Sequence, residues 1–297
     1  MPAFTQRPIR RQRVPQSSFE HRLIRPVFRV AFRALEFGLK ATGLHARGVR
    51  NAADTQVNRF EIALENLPAA FDGYTILHMS DLHADGPLDL DAPIERALDG
   101  IEVDLCALTG DYRYRLAGEY EDAAAYMARI VRHISARDGI YGTLGNHDLG
   151  TMVAPLEAAG IRILLNDHAI LRRGDDEIQL IGLDDVHAYQ PAADAAAALA
   201  DMPAGFRILL QHSPELLDEA EAEDVALYLT GHTHGGQICL PGGIPIMTNI
   251  RTARRYASGL WRHGRMTGYT TRGVGVSIMP LRFFSKGEVA VITLRRA

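Results

Sequence analysis

The chain has 297 residues, 47% apolar and 23% charged, enough for one large domain with a sizeable core, and no apolar run is long enough to cross a bilayer. Its formal net charge of -4 lacks the basic excess of a duplex binder, so no nucleic acid is expected as a partner. Two cysteines, Cys106 in an apolar run and Cys239 after a His-rich loop, do not make a disulfide framework.

Charge is unevenly spread: through residue 50, eleven basic side chains face only Glu20 and Glu36. Residues 1–18 are rich in Arg, Pro, Gln and Ser without apolar periodicity, which predicts a disordered basic arm. Arg10 and Arg11 precede polar residues 12–18 rather than the apolar stretch of an export signal, so a cytoplasmic location is expected. Over residues 19–44, Arg22, Arg25, Arg29, Arg33, Glu36 and Lys40 recur at steps of three or four, opposite Leu23, Val27, Val30, Leu35 and Leu39. That spacing predicts an amphipathic basic helix, suited equally to an anionic membrane surface and to packing on the globular body. Gly43, Gly48 and the polar residues 51–58 read as a linker, leaving residues 59–297 as the main domain.

Past residue 58, short β-rich runs alternate with helical ones, the pattern of an α/β fold. Residues 74–79, 103–109, 140–144, 178–183, 206–210 and 225–230 read as buried strands. Residues 92–98, 120–134, 191–200 and 214–222 read as helices. Gly235, Gly236, Gly242 and Gly243 mark tight turns. No Walker-type loop and no Gly-x-Ser-x-Gly elbow is present, which argues against nucleotide-driven and acyl-serine chemistry.

Several of these strands run into a cluster of Asp, His, Asn or Gly, and groups at strand ends converge in space. Alternation along an extended chain puts Asp81 and His83 on one side. Asp111 follows Thr109-Gly110 with two oxygens able to bridge two cations. Asn146 and His147 offer an amide oxygen and a titratable ring side by side, His212 follows an apolar run, and His232 and His234 repeat the spacing of two. Singly, an Asp after a strand is more often a turn residue, and a lone His more often a satisfied core group. Together they make a mixed nitrogen and oxygen set suited to Mn, Fe, Zn or a similar ion.

The series Asp81-Leu82-His83, Gly110-Asp111, Gly145-Asn146-His147-Asp148, His212 and Gly231-His232-Thr233-His234 resembles the calcineurin-like metallophosphoesterase superfamily over about residues 60–297. Gly231 to Gln237 and Thr271-Arg272-Gly273-Val274-Gly275 are similar to its bacterial branch of membrane-associated phosphodiesterases, which includes enzymes of the UDP-2,3-diacylglucosamine pyrophosphatase type. The resemblance implies a four-layer α/β/β/α sandwich preceded here by the amphipathic helix. It also implies two divalent metal ions, one held by Asp81, His83 and His234, the other by Asn146, His212 and His232, with Asp111 bridging.

On that basis the chain is expected to hydrolyse a phosphodiester or pyrophosphate bond, with a metal-activated water attacking phosphorus and His147 as general acid. A lipid or lipid-linked substrate, met peripherally at the inner face of a bacterial membrane, joins the ligand set to the basic helix. A soluble phosphoesterase for a small phosphate ester, or a non-catalytic metal-binding scaffold, are the other readings. Asp148 either orients His147 or caps a helix. Arg113 either contacts the substrate phosphate or is a solvated surface arginine. Asp184, Asp185 and His187 either support the site or shape a turn.

Overall fold

The computed structural model describes residues 34–297. Its strands, in chain order, are β1 Gln56–Leu64, β2 Thr75–Met79, β3 Glu102–Val103, β4 Leu105–Leu108, β5 Ser135–Ala136, β6 Ile140–Gly142, β7 Ile161–Ile163, β8 Asp167–Arg173, β9 Asp176–Gly182, β10 Arg207–Leu210, β11 Val225–Thr230, β12 Cys239–Leu240, β13 Ile244–Pro245, β14 Gly259–His263, β15 Met266–Thr270 and β16 Glu288–Arg296. Two six-stranded sheets carry the architecture, in the orders β1-β16-β2-β4-β6-β7 and β14-β15-β11-β10-β9-β8. In the first, β2, β4, β6 and β7 run parallel to one another; in the second, β9, β10, β11 and β15 do.

The layers follow from side-chain alternation along the central strands. Ile76, Leu105 and Ala107 of the first sheet meet Ile208, Leu210, Leu227 and Leu229 of the second in one core. Their neighbours Leu77, Cys106 and Leu108 turn outward onto the helices Asp91–Leu98 and Glu121–Ile130 through Ile94, Leu98, Met127 and Ile130. On the far side Leu209 and Tyr228 meet Leu199, Leu217 and Ala220 of the helices Ala192–Ala200 and Leu217–Ala222. Three cores therefore separate four layers, α/β/β/α, and each buried aliphatic side chain contributes roughly 1.5–3 kcal/mol.

The expected linker is corrected. Helix Leu44–Ala53 occupies most of it, and β1 begins at Gln56 and pairs in parallel with β16 from Gln56↔Glu288 to Leu64↔Arg296. The helix is fixed at Gly48, where an added Cβ would lie 2.8 Å from the Phe283 ring, and by Asn51 Nδ2 donating to the Arg282 carbonyl. Polar composition misled because this short helix buries little more than Gly48 and Ala52. Residues 34–41 are helical and join the helix expected over 19–44; its first part and the basic arm over 1–18 lie outside the described residues.

Glu288, at the start of β16, ties the sheets together. Its carboxylate accepts from Asn58 Nδ2, Tyr269 Oη and the Arg272 guanidinium. Burial opposes its charge, but the guanidinium outweighs that and holds the carboxyl below its usual range. Among the described residues no helix is long and apolar enough to cross a membrane.

Candidate active site

The clustered residues all leave the carboxyl ends of parallel strands. Asp81 and His83 follow β2, Asp111 follows β4 and Asn146 follows β6, all in the first sheet; His212 follows β10, and His232 and His234 follow β11, in the second. The site thus lies where both sheets end, as loops at strand carboxyl ends favour. The backbone there is unusual. Asp81, His83, Asp111, His232 and His234 have φ of 53°, 46°, 54°, 70° and 51°, a region that costs a non-glycine residue roughly 1–3 kcal/mol.

The strain is held by close neighbours. Asp81 N donates to the Gly110 carbonyl at 2.9 Å, His83 N to the Asp111 carbonyl at 3.0 Å, and His232 N to Asp81 Oδ2 at 3.0 Å. Residues 271–275 cradle the first loop, with Val274 N on the Ser80 carbonyl and Gly275 N on the Asp81 carbonyl. An added Cβ at Gly273 would lie 2.7 Å from Asp81 Cβ, which explains a glycine there.

Asp111 Oδ2 is the hub: His212, His83 and His147 Nε2 lie 3.4, 3.7 and 3.8 Å from it. On one side Asp81 Oδ1, buried and without a hydrogen-bond partner, lies 3.4 Å from His234 Nε2, which faces His83 Nε2 at 3.2 Å. On the other, Asn146 Oδ1 lies 3.0 Å from His212 Nε2 and 2.9 Å from His232 Nδ1. Asp81, His83 and His234, and likewise Asp81, Asp111 and His212, can each direct one ligand atom to a common centre.

Backbone carbonyls fix which ring nitrogen faces inward. His83 Nδ1 is held by the Arg113 carbonyl, His212 Nδ1 by that of Thr109 and His232 Nε2 by that of Asn249, so the other nitrogen of each turns its lone pair to the centre. Lone pairs and carboxylate oxygens this close repel one another unless positive charge lies between them, and this donor set fits a pair of divalent cations.

The electrostatics agree. Burial lowers the His83 pKa to about 4 and drives those of His232 and His234 well below the usual value, keeping these rings neutral as ligands must be. Burial raises Asp81 to about 6, with Asp111 adding to the rise. At Asp111 burial opposes charge, but His212, His147 and His83 outweigh it and hold the carboxyl well below its usual range. His212 is the converse: burial opposes its charge, yet Asp111 and Asp81 raise it to about 10. The buried carboxylates thus call for positive charge at the centre.

His147 sits at the mouth, its side chain 13% exposed against 3% for Asp111. Its Nδ1 is held at 2.6 Å by the Tyr114 carbonyl and its backbone N–H donates to Asp111 Oδ1 at 2.8 Å, which leaves Nε2 on the side of Asp111 Oδ2, 3.8 Å away. The Tyr114 carbonyl thus holds this ring. The Asp148 carboxylate accepts from the backbone N–H of Asp111, Gly145 and Arg113, pinning the two loops together, and the cap position of the following turn belongs to Leu149.

Arg113 is not a solvated surface arginine: it is fully buried, and its guanidinium donates to the carbonyls of Arg115 and Gly118. It shapes the loop that carries Tyr114, while its Nη2 is buried without a hydrogen-bond partner. Asp185 is buried with its Oδ2 on Ala188 N, a turn role, whereas His187 packs its ring 4.4 Å from that of His232 and lies 3.4 Å from Glu215 Oε1. Sequence reading gave no role to Arg282, which is fully buried and donates to the carbonyls of His234, Gly273 and Gly275. Forty-eight residues separate it from His234, and no spacing rule could reveal that contact.

A family model described as calcineurin-like phosphoesterase matches residues 74–236, which span every clustered residue. The chain is similar to YkuE of Bacillus subtilis, an uncharacterized metallophosphoesterase, at 32% identity over 77% of this chain and 82% of that one. It is 31% identical to the phosphodiesterase YaeI of Escherichia coli, over 74% and 82%. A transmembrane protein with metallophosphoesterase domain from Danio rerio is 30% identical over 84% of this chain and 60% of its own length. Among solved structures, a putative 5′-nucleotidase from Staphylococcus aureus shares 14% identity at a TM-score of 0.45, and the chain spans 55% of its length. The chain belongs to the calcineurin-like phosphoesterase family and is a metal-dependent phosphoester hydrolase with a dinuclear divalent metal centre.

Proposed function

We propose that the enzyme hydrolyses a phosphodiester, with Asp81, His83 and His234 holding one cation, Asn146, His212 and His232 the other, and Asp111 shared between them. The observation that carries this is the inward convergence of those donors on Asp111 beside a partly exposed His147. The metals, when bound, supply Lewis acidity for the phosphoryl oxygens and a water made acidic enough to act as hydroxide. The chain's own residues do the rest. Backbone carbonyls hold the ligand rings in one tautomer, the pinned loops fix their spacing, and His147 Nε2 delivers a proton to the departing alkoxide. The leaving group of a phosphate ester is an alkoxide that needs that proton, and among such esters the likeness to the phosphodiesterase YaeI favours a diester.

We assign the residues before helix Leu44–Ala53 to an appendage of the catalytic domain, and place a lipid-linked phosphodiester, met peripherally at the inner face of a bacterial membrane, as the substrate. Support comes from the eleven basic residues through residue 50, from the exposure of Leu35, Phe37 and Leu44, and from the membrane protein among the relatives.

The test is metal analysis with hydrolysis of bis(p-nitrophenyl) phosphate by wild type and Asp111→Ala. Wild type should carry two metals per chain and turn over, and the variant should lose metal and about a hundredfold or more in rate, the scale of several kcal/mol of metal stabilisation. A metal-free wild type, or a variant as active as wild type, defeats the reading.

A further inference from the structure

Between Asp224 and Glu288 the chain contains no acidic residue, yet seven arginines and Lys286 lie in that stretch. It includes the hairpin β12–β13 and the segment 277–286, which pack side by side. Cys239 N donates to the Phe283 carbonyl at 2.9 Å, Ile238 bridges Phe283, and Gln237 Nε2 reaches the carbonyls of Ser277 and Met279. On this shared surface Leu240, Ile244, Ile246, Met247, Ile278 and Phe284 are 52%, 57%, 56%, 38%, 58% and 57% exposed. Leu240 and Ile244 are cross-strand partners, so they stand together on one face.

The exposure is not an accident of loose chain. Ile278 and Phe284 have φ of 63° and 53°, a conformation that bulky side chains rarely adopt, and for a β-branched residue a true outlier. Basic groups flank the apolar tips. Arg254 donates to the carbonyls of Pro245 and Ile246, and Arg251 and Arg255 are exposed beside it. Helix Leu44–Ala53, with exposed Arg47 and Arg50, packs its Gly48 against Phe283 on the other flank.

We propose that the β12–β13 hairpin, with Met247, Ile278 and Phe284, is a membrane-contact rim that seats the catalytic mouth on an anionic lipid surface. The rim segments themselves carry no acidic residue; Glu215 pairs with Arg251 and Asp54 with Lys286, while Arg47, Arg50, Arg254 and Arg255 stand exposed beside the tips. Apolar tips flanked by such arginines match a bilayer, whose hydrocarbon takes the tips while its phosphates meet the guanidinium groups. A nucleic acid would use the arginines and leave the aliphatic tips in water. The rim adjoins the site at three points. The hairpin leaves directly from His234–Gly236; the chain returns through Asn249, whose carbonyl holds His232 Nε2; and Tyr114, whose carbonyl holds His147, donates its hydroxyl to the Ile278 carbonyl at 3.3 Å. A diester at the headgroup level would thus face His147. This inference rests on the lipid-substrate reading above and assigns the contact to the catalytic domain itself rather than to residues 1–33.

The experiment is co-sedimentation of the full chain with vesicles of phosphatidylcholine containing about one third phosphatidylglycerol, and with pure phosphatidylcholine. Wild type should prefer the anionic vesicles. The triple variant Leu240→Ser, Ile244→Ser, Phe284→Ser should lose about tenfold or more of that partition. Its hydrolysis of soluble bis(p-nitrophenyl) phosphate should match wild type, which also shows that it is folded. In a separate chain, Ile244→Trp emission should shift to the blue on adding anionic vesicles. A triple variant that binds vesicles as wild type does, an Ile244→Trp spectrum unmoved by lipid, or a wild-type dimer that the triple variant dissociates would each overturn the rim. Loss of soluble activity in wild type would instead defeat the hydrolytic reading.

Discussion

At the scale of single residues, the site separates ligands from proton donor by burial and by what holds each ring. His147 shares its Nδ1 with the Tyr114 carbonyl, so in the proposed mechanism Nε2 is the atom that serves the leaving group. His147→Gln should keep both metals and lose rate by about 10²–10⁴-fold for an alkyl diester, the range of general acid catalysis. For bis(p-nitrophenyl) phosphate, whose leaving group needs little protonation, the loss should be far smaller; equal losses on both substrates would remove the acid role. His78 poses a different question. It is buried between the sheets with Nε2 3.0 Å from Thr109 Oγ1, and burial lowers its pKa to about 4. In the unfolded chain it titrates near 6.5. Between those values the unfolded state takes up a proton that the folded state refuses, so stability falls as pH drops from 6.5 to 4, by roughly 3 kcal/mol at the lower end. His78→Phe forfeits the Thr109 contact but escapes that loss. Its Tm should lie below that of wild type at pH 7 and approach or pass it at pH 4; a constant difference across the range would refute the assignment.

At the scale of elements, the strands with continuous apolar runs were legible, and with them the places where the ligands emerge. Residues 225–230 were read to the residue as β11, and the runs behind Asp81, Asn146 and His212 are β2, β6 and β10. The edge strands were not, because β8 has only Ala169, Ile170 and Leu171 between polar pairs and shows no polar–apolar alternation, and β14 carries Gly259, Trp261 and His263 in a half-polar pattern that resembles loop composition. Nor could sequence show that Asp148 braces Asp111, since that bond spans 37 residues and depends on two loops meeting. The pairing of sheets at the site is likewise a matter of contact. At Gly231, which follows β11, an added Cβ would lie 2.5 Å from Asp81 Oδ2, a ligand after β2 in the other sheet. Gly231→Ala must therefore push the two strand ends apart, at about 1–3 kcal/mol for overpacking. It should lower metal content together with Tm. A variant that binds both metals with wild-type affinity would show that the sheets do not have to meet this closely.

At the scale of the whole molecule, the metal centre is part of what joins the two halves. Three ligand-bearing loops come from the first sheet and two from the second, and apart from Glu288 with its partners the sheets meet mainly through aliphatic contact. Five strained residues and a knot of facing lone pairs are concentrated at that junction. Such an arrangement is stable only in proportion to the charge that binds it, because the folded chain gathers the ligands and the unfolded chain does not. A cation present at about 100 times its Kd stabilises the folded state by roughly 2.7 kcal/mol per site. Chelation should accordingly lower Tm in a concentration-dependent way, and returning Mn or Zn should restore it without refolding. Asp111→Ala removes the hub and should make Tm insensitive to chelator. If chelator leaves the wild-type Tm unchanged while abolishing turnover, the metals serve chemistry alone, and the join between the sheets rests on the apolar core and Glu288.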